Sequence, residues 1–341
     1  MIRLSVIVPV YNGGAAFDQC LRALRASSRS ADEVIVVDDA STDDSGASAQ
    51  QWGARVLRLN SRPRGPAAAR NLGAAEATGD ALVFLDADVA VHPDTLARIA
   101  TYLEAEPEVA ALFGSYDDAP PAAGLVTRYK NLLHHYVHQH GRREASTFWA
   151  GCGAIRRQVF LDVDGFDERY HRPCIEDIEL GVRLRDAGYR IALCPEIQVT
   201  HLKRWTLRSW LEADIFGRAI PWTRLIVNRR RLPADLNVDW RSRLSAGAIW
   251  LMGLSAGLGL RWPVLWAVTG LAASLFIGLN WDLSRFFLSH GGLLFAAGAI
   301  CLHALYLLYS SALFVLVGLI VWAGRQNERD VDVTKPRTSR C

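Results

Sequence analysis

The 341-residue sequence predicts an α/β fold: a doubly wound, mostly parallel sheet, followed by an interfacial basic helix and an all-α transmembrane region. Three observations predict it. Up to Asp88, short apolar runs alternate with helical stretches, the rhythm of a doubly wound sheet. Charged residues stand at the carboxyl ends of three of those runs, where open α/β sheets bind ligands. From Leu244 onward the chain becomes almost continuously apolar.

The first strand is Leu4 to Val10, passing through Pro9 into Tyr11, Asn12 and the hinge Gly13-Gly14. A helix follows from Ala15 to Ala26, with Phe17, Cys20, Leu21 and Leu24 at helical spacing. The second strand, Glu33 to Val37, runs into Asp38-Asp39-Ala40-Ser41-Thr42-Asp43. A third, Ala54 to Asn60, leads to a loop at Gly65 and a small-residue helix containing Arg70. The fourth, Ala81 to Leu85, is apolar throughout, as a strand buried on both faces must be. It ends in Asp86-Ala87-Asp88, and two carboxylates at a strand end make a hard, oxygen-rich corner suited to Mg²⁺ or Mn²⁺. The plainer reading of those aspartates is a turn before the helix that follows Pro93.

Farther on, Ile175-Glu176-Asp177-Ile178-Glu179-Leu180 opens a helix with three carboxylates. The helix dipole alone favours acids there. A last strand, Arg190 to Leu193 and Ile197 to Thr200, ends at His201. Between Gly114 and Trp149, Tyr129, Lys130, His134, His135, His138 and His140 share a helical stretch. Only His134 and His138 share a face cleanly, and a polar helix covering a cleft or touching headgroups is the simpler reading than a metal site.

Residues 1 to about 205 resemble the family 2 glycosyltransferases, enzymes of GT-A fold that use nucleotide-diphospho-sugars. The resemblance rests on Ser5 to Asn12, Val37 to Asp43, Ala68-Ala69-Arg70-Asn71-Leu72-Gly73, Leu85 to Asp88, Gly165-Phe166-Asp167-Glu168 and Ile175 to Leu180, in the expected order. It implies that Pro9 and Tyr11 line the nucleobase pocket, with Tyr11 stacking on the base. Asp39 would accept from a uracil-type imide, with Asp38 as the alternative; capping of the following helix is the structural explanation of that pair. Arg70 would meet ribose or pyrophosphate oxygens, or else pair with an acid such as Glu76. Asp88 would ligate the metal and Asp86 contact ribose or metal-bound water. Asp177 would be the general base, oriented by Glu176. His201 would complete the metal shell, contact pyrophosphate, or serve only the fold. Processive members carry Gln-x-x-Arg-Trp where this chain has His201 before Arg204 and Trp205, so addition of a single sugar is expected. Asp164 also replaces a glycine common in the family.

From His201 to Arg243 there are ten Lys and Arg against four Asp and Glu, interleaved with Trp205, Trp210, Phe216 and Trp222. Beside apolar segments this reads as a helix on an anionic membrane surface rather than a nucleic-acid patch. Basic residues there hold the preceding domain in the cytoplasm. Leu244 to Leu260, Trp262 to Leu279 and Gly291 to Trp322 predict about three spans, with Arg261 at a hairpin tip. His303 would face other helices or headgroups. The expected organisation is a catalytic domain over 1–204, a basic juxtamembrane segment over 205–243, transmembrane helices over 244–323 and a polar tail over 324–341. The tail carries five Lys and Arg, which favours the cytoplasm, whereas three spans would place it outside.

The first apolar run is only a strand's length, so no signal peptide is expected. Six cysteines scattered without metal spacing read as reduced thiols. The expected enzyme is an inverting glycosyltransferase of the inner membrane, taking a UDP-linked sugar to a lipid or lipid-linked saccharide. Polyprenyl phosphate or a cell-envelope glycan intermediate are alternative acceptors. A non-catalytic nucleotide-sugar-binding membrane subunit is the alternative of another class, though binding alone needs no base such as Asp177. A nucleotidyltransferase would need a lysine-bearing phosphate loop, and Gly13-Gly14 has no cation beside it.

Overall fold

The computed structural model describes residues 1–59, 62–229 and 239–333, and the side chains up to residue 323. Its centre is an eight-stranded sheet in the order β3-β2-β1-β4-β7-β6-β8-β5. The strands are β1 (Leu4–Val10), β2 (Glu33–Asp38), β3 (Arg55–Arg58), β4 (Ala81–Leu85), β5 (Val89–Val91), β6 (Val109–Tyr116), β7 (Cys152–Arg156) and β8 (Arg190–His201). The first four pair in parallel, as the βαβ rhythm requires. The second half is mixed, because β7 runs antiparallel to both β4 and β6, while β6 and β8 are parallel. The third strand is shorter than its sequence suggested, and the two pieces expected for the last strand form one of 12 residues.

Alternation along β1 sends Leu4, Val6, Val8 and Val10 to one face and Ile7 to the other. The first face is covered by α1 (Gly14–Arg25), α2 (Ser45–Trp52) and α4 (Thr95–Ala105), through Phe17, Leu21, Ala49, Leu96 and Ile99. The second is covered by α3 (Pro66–Glu76), α6 (Arg157–Asp162) and α7 (Glu176–Asp186), through Ala67, Ala74, Phe160, Leu180 and Leu184. Asp164 takes φ +58 ahead of Gly165 at φ +61, so an aspartate occupies a left-handed position that glycine usually fills.

α5 (Leu125–Gln139) carries His134, His135 and His138, of which His135 and His138 are buried, while His140 lies just past its end and is exposed. His135 Nδ1 and His138 Nδ1 bond the carbonyl oxygens of Tyr116 and Gly114 at 2.8 and 2.9 Å, pinning the helix to β6. Its other side holds the C-terminal helices. Tyr129, Leu132 and Leu133 form a core with Trp210 of α8 (Leu207–Asp214) and with Leu283, Phe287 and Phe295 of α12 (Trp281–Val333). Trp210 is fully buried, so this part of the basic segment is core rather than membrane surface. A π-helical turn, Ile215–Ala219, then leads into α9 (Ile220–Arg229); Arg230 and Arg231 lie outside the described residues.

α10 (Trp240–Gly259) and α11 (Leu265–Leu279) form a hairpin with Arg261 exposed at its turn. The expectation of three spans is corrected here. Among the described residues one helix, Trp281–Ala323, is long and apolar enough to cross a membrane. The 15 residues of α11 reach only about 22 Å, short of a ~30 Å hydrocarbon core, because Asn280 ends the helix. α10 carries Arg241 and Arg243 in its first turn. Gly292, at φ 72 and ψ −178, breaks α12 near its start. His303 on α12 faces inward, with Nδ1 3.4 Å from the Tyr129 hydroxyl.

Gly181 lets α7 lie directly on the chain before Trp149, for a Cβ there would stand 2.2 Å from Phe148 N. Backbone on both sides cannot yield, so Gly181→Ala is expected to lower stability by about 1–3 kcal/mol, read as a lower midpoint in urea unfolding.

Candidate active site

The parallel order of β2, β1 and β4 brings three groups of side chains to one end of the sheet. The first surrounds Asp39. Its backbone N–H donates to Val10 O at 2.8 Å, which ties the end of β2 to the end of β1. Asp39 Oδ1 accepts from Arg64 N at 2.7 Å and Oδ2 from Gly65 N at 2.8 Å. Each carboxylate oxygen keeps a further lone pair for an imide N–H. Gly65 sits at φ +93, and a Cβ there would lie 2.5 Å from His171 O, so this loop requires glycine. Tyr11 is 53% exposed beyond β1, a ring free to stack, while Pro9 is half-buried within the strand. Asp38 turns inward, accepting from Ser41 N at 2.8 Å, and supports the turn. Neither aspartate caps α2, whose N-cap position is Asp44.

The second group is built on Arg70 of α3, which is buried. Its Nη1 donates to Glu176 Oε1 at 2.9 Å and its Nη2 to Asp86 Oδ1 at 2.7 Å. The guanidinium thus joins the end of β4 to the start of α7, an arrangement the sequence did not suggest; Glu76 pairs with Arg55 instead. Glu176 also accepts from Cys174 N at 2.8 Å. Asp177, the next residue, accepts from Ala150 N at 3.1 Å through Oδ2 and from its neighbour Ile178 N at 2.8 Å through Oδ1. Glu176 therefore acts on Asp177 through charge, not through a hydrogen bond. Burial, then the charge of Glu176, push the Asp177 carboxyl up to about 6, with Arg70 opposing. Burial likewise holds Asp86 above the usual carboxylate range, against the pull of Arg70.

The third group is Asp88 and His201. β5 and β8 pair antiparallel with Val89 opposite His201, and Leu202 N donates to Asp88 O at 2.8 Å. This register sets His201 Nε2 3.7 Å from Asp88 Oδ2. His201 is buried, stacked on Tyr116 at 4.3 Å, with Nδ1 2.6 Å from Asn131 Oδ1. Asn131 Oδ1 takes the Nδ1 proton and turns Nε2 toward the carboxylate, the usual outer-shell support of a histidine ligand. Burial would raise the Asp88 carboxyl, but His201 and then Lys203 outweigh it and hold it low. Among the described residues no three His, Cys, Asp or Glu gather into a full metal shell. A carboxylate and one imidazole suit an ion that takes its other ligands from water and phosphate oxygens.

Residues 5–163 match the model of glycosyl transferase family 2, and residues 130–205 that of the N-terminal domain of galactosyltransferase. Residues 5–163 belong to glycosyl transferase family 2. It is 25% identical over 235 residues to the O-antigen chain rhamnosyltransferase RfbN of Salmonella typhimurium, covering 65% of this chain and 74% of the relative. It is 32% identical over 275 residues to the pre-mycofactocin glycosyltransferase of Mycobacterium tuberculosis, covering 75% of this chain but only 54% of that relative's length. A mannosyltransferase of Pyrobaculum calidifontis, solved with GDP-Man and Mn²⁺, superposes with a TM-score of 0.55 at 19% identity over 94% of this chain and 86% of the other. S. aureus TarS 1-349 with UDP-GlcNAc gives 0.51 at 18% identity over 96% and 92%. These likenesses establish the GT-A fold.

In this glycosyltransferase Asp177 also lines a cavity of about 330 Å³. The other walls come from α5, the π-helical turn, α9, α10 and α12. Trp149 lines it too. Sequence reasoning missed Asn131, Tyr116 and Ala150. Asn131 is separated from His201 by seventy positions and Ala150 acts only through its backbone, so neither carries a motif. Two outcomes follow from this geometry. Arg70→Met strands two carboxylates, one of them deeply buried, and is expected to cost about 3–5 kcal/mol in urea unfolding, with Arg70→Lys milder. A base at Asp177 must be ionised, so kcat/KM should fall as pH drops through about 6. In Asp177→Asn the remaining activity should lack that acid limb.

Proposed function

We propose that this glycosyltransferase is membrane-anchored, metal-dependent and inverting, and that it moves one sugar from a UDP-linked donor to a lipid or lipid-linked saccharide at the cytoplasmic face. The observation that carries this reading is the position of Asp177. It stands on the wall of a cavity shared between the catalytic sheet and helices that include Trp281–Ala323, the candidate span. An acceptor anchored in a bilayer can meet a base there without leaving the lipid. The catalytic domain is assigned to 1–204, the juxtamembrane segment to 205–243, the helical anchor to 244–323 and the tail to 324–341. The surplus of Lys and Arg between His201 and Arg243 supports a cytoplasmic active site. The likeness to an O-antigen chain rhamnosyltransferase supports a lipid-linked acceptor, and polyprenyl phosphate or a cell-envelope intermediate belong to the same class.

Tyr11 stacks on the nucleobase, Pro9 shapes its pocket and Asp39 accepts its imide proton. Asp86, oriented by Arg70, contacts the ribose. Asp88 and His201 Nε2 would hold Mg²⁺ or Mn²⁺, which when bound offsets the charge of the leaving diphosphate. Asp177 takes the proton of the acceptor hydroxyl as that oxygen attacks the anomeric carbon opposite the nucleotide. Glu176, ion-paired with Arg70, keeps α7 in place, and its charge raises the basicity of its neighbour. A carboxylate held near 6 beside a cavity suits proton transfer better than nucleotide binding alone, which favours an enzyme over a binding subunit.

The test offers the purified full chain a panel of nucleotide sugars with a lipid-linked acceptor, with and without Mn²⁺. Transfer from one UDP-sugar, abolished by EDTA and by Asp88→Ala, is the expected result. Asp177→Asn should lose about 10²–10⁴ in turnover while donor affinity holds. Transfer that persists in EDTA would remove the metal from the mechanism.

A further inference from the structure

The cavity beside Asp177 contains a cation that none of the roles above uses. Arg218 sits in the π-helical turn Ile215–Ala219, a local widening of the helix that often marks a functional position. Its side chain is 45% exposed, and its ion-pair partner Asp214 stands 4.0 Å away. Asp214 is already engaged: Oδ1 takes Lys130 Nζ at 2.6 Å, and Oδ2 takes Trp210 Nε1 at 3.1 Å and the Tyr309 hydroxyl at 2.8 Å. Among the described residues Arg218 makes no hydrogen bond of its own.

The charges around the cavity do not cancel. Lys130, Arg218 and Arg243 line it against Asp177 and Asp214. Lys130 and Asp214 neutralise each other, which leaves Arg218 and Arg243 against Asp177, and Arg218 lines the same space as Asp177. The histidines add nothing, since burial keeps His134 and His138 neutral, His138 down at about 4. Much of the remaining wall is apolar, with Leu133, Trp222, Ile226, Ala246, Leu307 and Phe314 from α5, α9, α10 and α12 beside the hydroxyls of Thr223, Tyr306 and Ser310. A site with one under-used guanidinium and an apolar wall fits an amphiphile with an anionic head.

We propose that this cavity is the acceptor site, that Arg218 binds the phosphate of a lipid phosphate or of a lipid-linked acceptor, and that the apolar wall takes the first part of its tail. This rests on the reading of the chain as a transferase to lipid acceptors and adds the group that recognises them. Trp222, on the turn of helix after Arg218, supplies tail contact rather than charge. Arg218 is here a binding residue; Asp177 takes the proton where the attacking group is a hydroxyl, whereas a lipid phosphate attacks through an oxygen already ionised.

The test measures equilibrium binding to the full chain in detergent, with no turnover needed. The probes are farnesyl phosphate, farnesol and inorganic phosphate, and UDP serves as an independent probe of the donor side. Farnesyl phosphate should bind saturably, farnesol at least tenfold more weakly, and inorganic phosphate should not compete at millimolar concentration. Arg218→Gln should bring farnesyl phosphate down to the affinity of farnesol and leave UDP affinity unchanged, while Arg218→Lys recovers part of the loss. Trp222→Ala should weaken farnesyl phosphate and farnesol by the same factor. Equal binding of the phosphate and the alcohol, or an Arg218→Gln variant with unchanged farnesyl phosphate affinity, would overturn the proposal. So would competition by inorganic phosphate as strong as that of farnesyl phosphate, or a loss of UDP binding in Arg218→Gln with the acceptor probe unaffected. Farnesyl phosphate binding with no detectable sugar transfer would refute the transferase reading and leave the binding site standing.

Discussion

Arg70 is the interaction on which the rest of the site depends. A buried guanidinium is tolerable only with its charge matched, and here two carboxylates from distant parts of the chain match it. Asp86 comes from the end of β4 and Glu176 from the first turn of α7, ninety residues later. Bridging them fixes how α7 meets the sheet and therefore where Asp177 stands. It also compensates Glu176, so that the neighbouring carboxylate can be ionised near neutral pH at all. One cation thus connects the end of β4 to the start of α7.

The helical region is integrated with the sheet rather than appended to it. α5 is the connection: its histidines bond carbonyls of β6 on one side, and its aromatic and leucine side chains pack against α8 and α12 on the other. Asp214 repeats this on a polar scale, receiving Lys130 from α5, Trp210 from its own helix and Tyr309 from α12. A cavity bounded by both halves results. Its shape is set by the sheet-bearing half and the C-terminal helices together, so a change in either alters the space beside Asp177.

Much of one end of the sheet was legible residue by residue. The alternating runs that make β1, β2 and β4 place Tyr11, Asp39, Asp86 and Asp88 at strand ends, because parallel strands joined by right-handed crossovers must all end at the same edge. The acids of α7 were legible as a helix start. The apolar C-terminal segment was legible as helical, but its spans were over-counted. Hydropathy records composition, whereas the length of a span depends on where Asn280, Gly292 and the Arg261 turn interrupt the helix.

By itself, the sequence determined the family, the parallel character of the sheet's first half, the positions of the strand-end carboxylates and the helical nature of the C-terminal region, since all of these follow from local periodicity and motif order. Only the tertiary structure decided that Arg70 bridges Asp86 and Glu176, that Asn131 orients His201, that the α5 histidines are buried against β6, and that Asp177 and Arg218 share one cavity. Each of those pairs residues far apart in the chain through side-chain geometry. Periodicity carries no record of such contacts; they exist only once two separately formed surfaces have packed.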